Sequence, residues 1–267
     1  MEKQVMCVSN DNKNVSPLDT IDAIKKAGYQ DVFIQWYDKD FEVSEQEQLD
    51  YIRQVGLNVA FAHLGYKGIN DIWLNVREGE ELVKKYLRNI DEMHQNGIDL
   101  VVMHLVNGLD APTFNSLGLK RFKTICDYAM SKGIKVAFEN TKISGYQEAI
   151  LDNIDNPNVG ICFDSGHFHC HFKDQFDFER FKDKIMCVHI HDNFGIKDEH
   201  LVPFDGTLDY DLVLNGLREA NYQGDMTLEL CYRNDYLNMS VDEFYAKGYE
   251  VGKKLIRRYG ELEWKNK

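Results

Sequence analysis

Six short apolar runs in this sequence each lead into a residue able to bind a metal: FAHL at His63, VVMHL at His104, VAFEN at Glu139, GICFDSGH at Asp164, CVHIHD at His189 and TLEL at Glu229. They are spread along the chain instead of being gathered in one loop. Among common architectures, a parallel barrel is the one that brings the ends of successive strands to a single point, at its C-terminal face. The pattern therefore predicts fold and site together.

Strand-like and helix-like stretches alternate from end to end. Strands are expected at Val5 to Ser9, Asp31 to Tyr37, Asn58 to Leu64, Asp99 to Leu105, Lys135 to Asn140, Val159 to Asp164, Met186 to His191 and Met226 to Cys231. Helix signals fall between them. Ser16-Pro17 opens one helix and Ser44 caps another; an amphipathic run from Glu78 to Gln95 stops at Asn96-Gly97. A further helix covers Asn115 to Lys132 and is closed by Gly133. The last runs from Ser240 to Arg258, with Ser240 and Glu243 spaced as a capping box.

The strands are almost continuously hydrophobic, as expected when both faces are covered. Eight βα units in 267 residues predict an α/β fold, a single (β/α)8 TIM barrel over residues 1–267, with its site at the C-terminal ends of the strands. A doubly wound open sheet is the alternative. It does not explain why strands three to eight all end in ligand-type residues, because open sheets concentrate their sites at one switch point.

Composition narrows the classes. With 43% hydrophobic residues the chain can bury a large core, and no window approaches eighteen apolar residues, so neither a signal peptide nor a membrane span is expected. The expected location is cytoplasmic. The six cysteines include no CxxC pair and read as small buried hydrophobes of a reducing compartment. A net charge of −13 argues against general affinity for a phosphate backbone, so a nucleic-acid partner is not expected.

The strongest candidates are Glu139, Asp164, His189 and Glu229, ending strands five to eight. Three carboxylates and an imidazole suit one divalent cation, Mn2+, Zn2+, Co2+ or Mg2+. Three acidic groups converging at a barrel mouth would repel one another unless a cation neutralised them. Each alone reads equally as a surface charge or a helix cap. An unpaired charge at the end of an apolar strand is costly, however, and that favours the metal reading.

A second layer consists of His63, His104, His167, Asp198 and His200, able to hold one or two further ions or to hydrogen-bond substrate hydroxyls. Trp36, Tyr66 and Trp73 follow strands two and three and read either as an apolar wall against a sugar face or as packing beneath loops. Arg233 offers a partner for a substrate phosphate or carboxylate. His94 reads as structural, His169 and His171 as rim residues, and His191 as lying higher in the mouth than His189.

The motifs VAFENT, GICFDSGH, CVHIHDNFGIKDEHLVPFDGTLDY and MTLEL, in this order over nearly the whole chain, resemble the xylose isomerase-like TIM-barrel superfamily. That grouping includes sugar and sugar-phosphate isomerases and epimerases, inosose dehydratases and the endonuclease IV family. The resemblance implies that Glu139, Asp164, His189 and Glu229 form the single-metal site of the epimerase branch. There the metal holds two substrate oxygens while two glutamates, here Glu139 and Glu229, exchange a proton through an enediolate; His167 would position a hydroxyl. The endonuclease IV branch holds three zinc ions with a larger set, matched here by His63, His104, Glu139, Asp164, His167, His189, Asp198, His200 and Glu229. Its loop pattern is not matched: DEHLVPF with GTLDY stands in its place.

The expected function is thus a metal-dependent isomerase or epimerase of a small sugar, sugar phosphate or cyclitol, with Trp36, His167 and Arg233 in substrate binding and a homo-oligomer allowed. An abasic-site phosphodiesterase with two or three zinc ions and a cyclitol dehydratase are the enzymatic alternatives. A metal-bearing sugar-binding barrel without turnover is the non-enzymatic one.

Overall fold

A computed structural model describes residues 3–37 and 43–264. Eight parallel strands alternate with helices: β1 (Gln4–Val8), β2 (Asp31–Trp36), β3 (Asn58–Leu64), β4 (Leu100–Met103), β5 (Lys135–Glu139), β6 (Val159–Asp164), β7 (Ile185–His189) and β8 (Met226–Leu228). Hydrogen bonding runs in the order β7-β6-β5-β4-β3-β2-β1-β8. The ring closes between β7 and β8, where Ile190 N–H donates to Thr227 O at 2.8 Å and Glu229 N–H to Ile190 O at 3.2 Å. This is a (β/α)8 barrel.

Helices α1 (Pro17–Ala27), α2 (Glu45–Gln54), α3 (Arg77–Gln95), α4 (Ser116–Ser131), α5 (Tyr146–Asn153), α6 (Ser165–Cys170), α7 (Tyr210–Glu219) and α8 (Val241–Trp264) follow their strands in turn. Their boundaries have local causes. Ser16 and Asn115 accept N-terminal amides of α1 and α4, and Ser44 with Glu47 closes a capping box on α2. Ser240 and Glu243 make the same reciprocal bonds before α8. Gly28 ends α1 at φ 109°, a left-handed conformation that a side chain would strain.

Side chains alternate across each strand, and this alternation builds the site. Val5, Cys7, Phe33, Phe61, Val102, Ala137, Cys162 and Cys187 point inward and form a separate buried layer inside the barrel. Two residues further along the same strands stand Gln35, His63, Glu139, Asp164 and His189, with His104 just past β4. The ligand-type residues are therefore the next interior layer, resting on an apolar plug. Phe33 and Phe61 stack on each other at 4.7 Å, and Phe33 lies 5.0 Å from the parallel ring of His189.

Residues of opposite parity face the helices. This corrects the expectation for Trp36, which follows Gln35 and so points out of the barrel, where its indole donates to Glu92 on α3 at 2.8 Å. Trp73 is likewise structural. Its indole donates to Leu105 O at 2.7 Å and its ring packs on Phe122 and Tyr146.

Strands β4 and β8 end earlier than the hydrophobic runs suggested, at Met103 and Leu228. The segment after Asp164 is helical, as the Asp164 carboxylate caps α6 by accepting the His167 amide at 2.6 Å. All six cysteines are free and buried. Among the described residues, no helix is long and apolar enough to cross a membrane.

Candidate metal centre

His189 is the hub. Its Nδ1 lies 3.1 Å from Glu139 Oε1, 3.1 Å from Glu229 Oε2 and 3.8 Å from Asp164 Oδ2. One ligand atom from each of these four residues lies within 4.8 Å of every other, and all four side chains are buried. Strands β5, β6 and β7 deliver three of them, and Glu229 comes from the residue following β8.

Imidazoles surround Glu139. His63 and His104 point Nε2 at its Oε2, 3.0 and 2.8 Å away, and His167 Nδ1 lies 3.5 Å from its Oε1. The backbone fixes one of these rings: His63 Nδ1 lies 3.1 Å from Leu64 O, within hydrogen-bond distance. His104 is held from its face by Tyr66, stacked at 4.0 Å.

A second group sits beside the first. His191, Asp198 and His200 also bring ligand atoms within 4.8 Å of one another. Asp198 Oδ2 lies 3.2 Å from both His167 Nε2 and His200 Nε2, and His191 Nε2 is 3.1 Å from Asp164 Oδ2. The rings of His191 and His200 stack at 4.1 Å. His191 therefore lies deeper than expected: it is fully buried, and its backbone exchanges hydrogen bonds with Ser165 Oγ. Asp164 joins the groups, its Oδ1 capping α6 and its Oδ2 facing His191 and His189.

The charge states follow from this crowding. Burial alone would raise the carboxyl of Glu139, yet His104 and His189 hold it well below the ordinary range. Glu229 is likewise opposed by burial and drawn down to about 2, chiefly by His189. Burial disfavours charge on His189, but Glu229 and Glu139 raise it well above 6.5. His167 is pushed up to about 10 by Asp164 and Asp198 against the same burial. In His104 burial wins, and its pKa falls. Protons on imidazoles thus balance the carboxylates.

Sequence reasoning missed the upper wall. Asp11, Gln35, Tyr37 and Cys231 line the mouth together with Tyr66 around a cavity of about 70 Å3. Strand parity pointed to Gln35; nothing in the sequence marked Asp11 or Cys231. Arg233 corrects an expectation: its guanidinium donates to the carbonyls of Asp198 and Glu199, at 3.3 and 3.2 Å, and it is absent from the lining. A roomier hollow of about 600 Å3 opens at the opposite end of the barrel between Lys3, Tyr29, Tyr249 and Arg257, remote from every one of these donors.

Part of the chain is similar to the inosose isomerase of Bacillus licheniformis, 29% identical over 154 residues; the alignment covers 52% of this chain and 54% of that one. The fold superposes on the IolI protein with a bound zinc atom at a TM-score of 0.76, with 18% identity over 96% of this chain and 99% of the other. D-psicose 3-epimerase from Clostridium cellulolyticum H10, solved with D-tagatose, gives 0.73, with 12% identity over 95% and 99%. At these identities the two structures establish the shared fold. Residues 21–257 match the xylose isomerase-like TIM barrel family as a whole, and the chain belongs to that family.

Proposed function

We propose that this protein is a divalent-metal-dependent isomerase or epimerase of a small sugar or cyclitol. The observation that carries the reading is the convergence of Glu139, Asp164 and Glu229 on one imidazole nitrogen of His189. The name of the Bacillus licheniformis relative and the titles of the two superposed structures point the same way.

The donor set fits a divalent cation. Three buried carboxylates face one imidazole nitrogen of His189, whose pKa Glu229 and Glu139 raise against the effect of burial, and a metal ion would replace its proton as their counter-charge. Glu139, Asp164, His189 and Glu229 would hold it; Mn2+, Zn2+, Co2+ and Mg2+ all accept oxygen with imidazole. When bound, the cation supplies positive charge to a carbonyl oxygen that becomes anionic as the adjacent C–H bond breaks.

The chain's own residues do the rest. One of Glu139 and Glu229, as a carboxylate, takes the proton from the carbon beside the carbonyl; the acid so formed returns it to the neighbouring carbon in an isomerisation, whereas epimerisation returns a proton to the opposite face from the other glutamate, which must enter that turnover protonated. His63 and His104 fix Glu139 through Oε2, so the aim of Oε1 is set before substrate arrives. His167, Asp198 and His200 face the cavity from the other side and suit substrate hydroxyls; Tyr37 and Tyr66 narrow the space above.

The test is exchange of the substrate's carbon-bound hydrogen in D2O with free ketoses and inososes. Metal-loaded protein should catalyse it, chelated protein should not, and Glu229→Gln should lower it by about 10²- to 10⁴-fold. Exchange that survives unchanged in Glu229→Gln overturns the assignment of that residue.

Phosphodiester cleavage of the abasic-site kind is favoured by one observation, the gathering of His191, Asp198 and His200 next to the four-residue group. The net charge of −13 opposes it, as does a mouth whose lining, among the described residues, contains no lysine or arginine. Two or three metals per chain together with incision of an abasic duplex would establish that reading in place of the first.

A further inference from the structure

The connection from β7 to α7, residues 190–209, carries Asp198 and His200 to the mouth, and it does so at a conformational cost. His200 and Phe204 both adopt left-handed backbone, at φ 52° and 75°, without being glycine. Something must over-determine the path of this loop.

Asp192 lies at its root, and its side chain is completely buried. Its Oδ1 accepts the amides of Asn193 at 2.8 Å and Leu208 at 3.1 Å, and its Oδ2 accepts the amide of Phe204 at 2.9 Å. The amide of Gly206 faces the same carboxylate. The backbone of Asp192 is tied as well, exchanging two 2.9 Å hydrogen bonds with Leu201. One residue thus grips the beginning, the middle and the end of a loop whose remaining span bears Asp198 and His200 and is steadied from outside by Arg233 on the Asp198 and Glu199 carbonyls. Gly206 permits this grip: a Cβ there would stand 2.3 Å from Asp192 Oδ1.

We propose that Asp192 is a positioning residue, a buried carboxyl anchor that holds the β7–α7 connection in the conformation presenting Asp198 and His200 to the mouth. The acceptor must be a carboxylate. Three backbone N–H groups donate to it and a fourth, of Gly206, faces it; a carboxylate has acceptor capacity for all of them, whereas an amide would turn an NH2 toward some. Hydrogen bonds to a charged acceptor are also about twice as strong as neutral ones. Glu139 and Glu229 stand on or beside the barrel wall, so loosening the loop should spare proton transfer and weaken the hold on substrate hydroxyls; this second half rests on the function proposed above.

Amide hydrogen exchange and steady-state kinetics on the full-length, Zn2+-loaded protein test it. In Asp192→Asn the amides of Phe204, Gly206 and Leu208 should exchange at least tenfold faster, while those of β5 and β6 stay within twofold. For a ketose or inosose that the wild type exchanges in D2O, KM should rise at least fivefold with kcat within threefold. Gly206→Ala, which pushes its amide off an intact Asp192, should give the same loop-confined pattern, and it supplies the test if Asp192→Asn does not fold. Unchanged loop exchange in a folded variant overturns the proposal; so does a loosened loop with unchanged KM. If the wild type exchanges neither ketoses nor inososes, the isomerase reading fails by itself, and the amide pattern alone supports or overturns the anchor.

Discussion

Removing the metal should make the stability of this protein depend on pH in a direction set by its histidines. In the metal-free site the carboxylates of Glu139, Asp164, Asp198 and Glu229 are balanced by protons on His167, His189 and His200, all raised above the ordinary histidine value. A group whose pKa is raised by folding stabilises the fold fully below its unfolded value. That contribution fades as pH climbs toward the folded value. For His167 the window runs from 6.5 to about 10. Each pH unit across it costs about 1.4 kcal/mol, so a rise from pH 6.5 to 9 removes about 3 kcal/mol through this residue. In a chain of this size that is ~6–12 °C in Tm. The carboxylates act at the other end. Glu139 and Asp198 are depressed and Glu229 lies near 2, so their contribution is present above the ordinary carboxylate range and lost only as pH falls through it. The metal-free protein should therefore be most stable near pH 5 to 6.5, and loading with Zn2+ or Mn2+ should abolish the alkaline decline, because the cation takes over the protons' role. Thermal unfolding between pH 6 and 9, with chelator and with metal, measures both. A metal-free Tm that stays flat or rises over that range would refute the account of the site's charge balance.

Two further outcomes follow from the barrel's architecture. Phe33→Ala empties the plug beneath His189 and should cost about 3–5 kcal/mol in chemical denaturation; a loss under 1 kcal/mol would mean that the layer below the site does not support it. Trp36→Phe removes an indole that faces α3 and not the cavity, so kcat/KM should stay within threefold of wild type even if the lost bond to Glu92 lowers stability; a large loss of activity would return Trp36 to the substrate wall.

The barrel and the inner ligands were legible in the sequence for one reason. A strand covered on both faces is apolar almost throughout, so a polar residue at its C-terminal end stands out, and Glu139, Asp164 and His189 did. Parity along the same strands was equally available, and it separates Gln35, which faces the cavity, from Trp36, which does not. Arg233 and Asp192 show where this kind of reading stops. Both lie beyond strand ends, where direction is set by loop conformation: Arg233 turned to two backbone carbonyls instead of the pocket, and Asp192 turned inward to collect backbone amides. No periodicity encodes either choice.

The choice of histidine as the companion of so many buried carboxylates has its own logic. A buried carboxylate needs a positive neighbour whether or not metal is present. Lysine in the place of His63, His104, His167 or His189 would supply that charge but hold it against an incoming cation, since an ammonium group has no lone pair to offer while protonated. An imidazole does both: protonated, as His167 and His189 are here, it balances Glu139 and Asp164; deprotonated, it is itself a metal ligand. A barrel mouth whose ionisable groups are all carboxylates and imidazoles around the inner ligands can thus fold before its cation arrives and then exchange protons for it. On this argument metal binding must release protons, and it must weaken as pH falls, most steeply where His189 and His167 take their protons back.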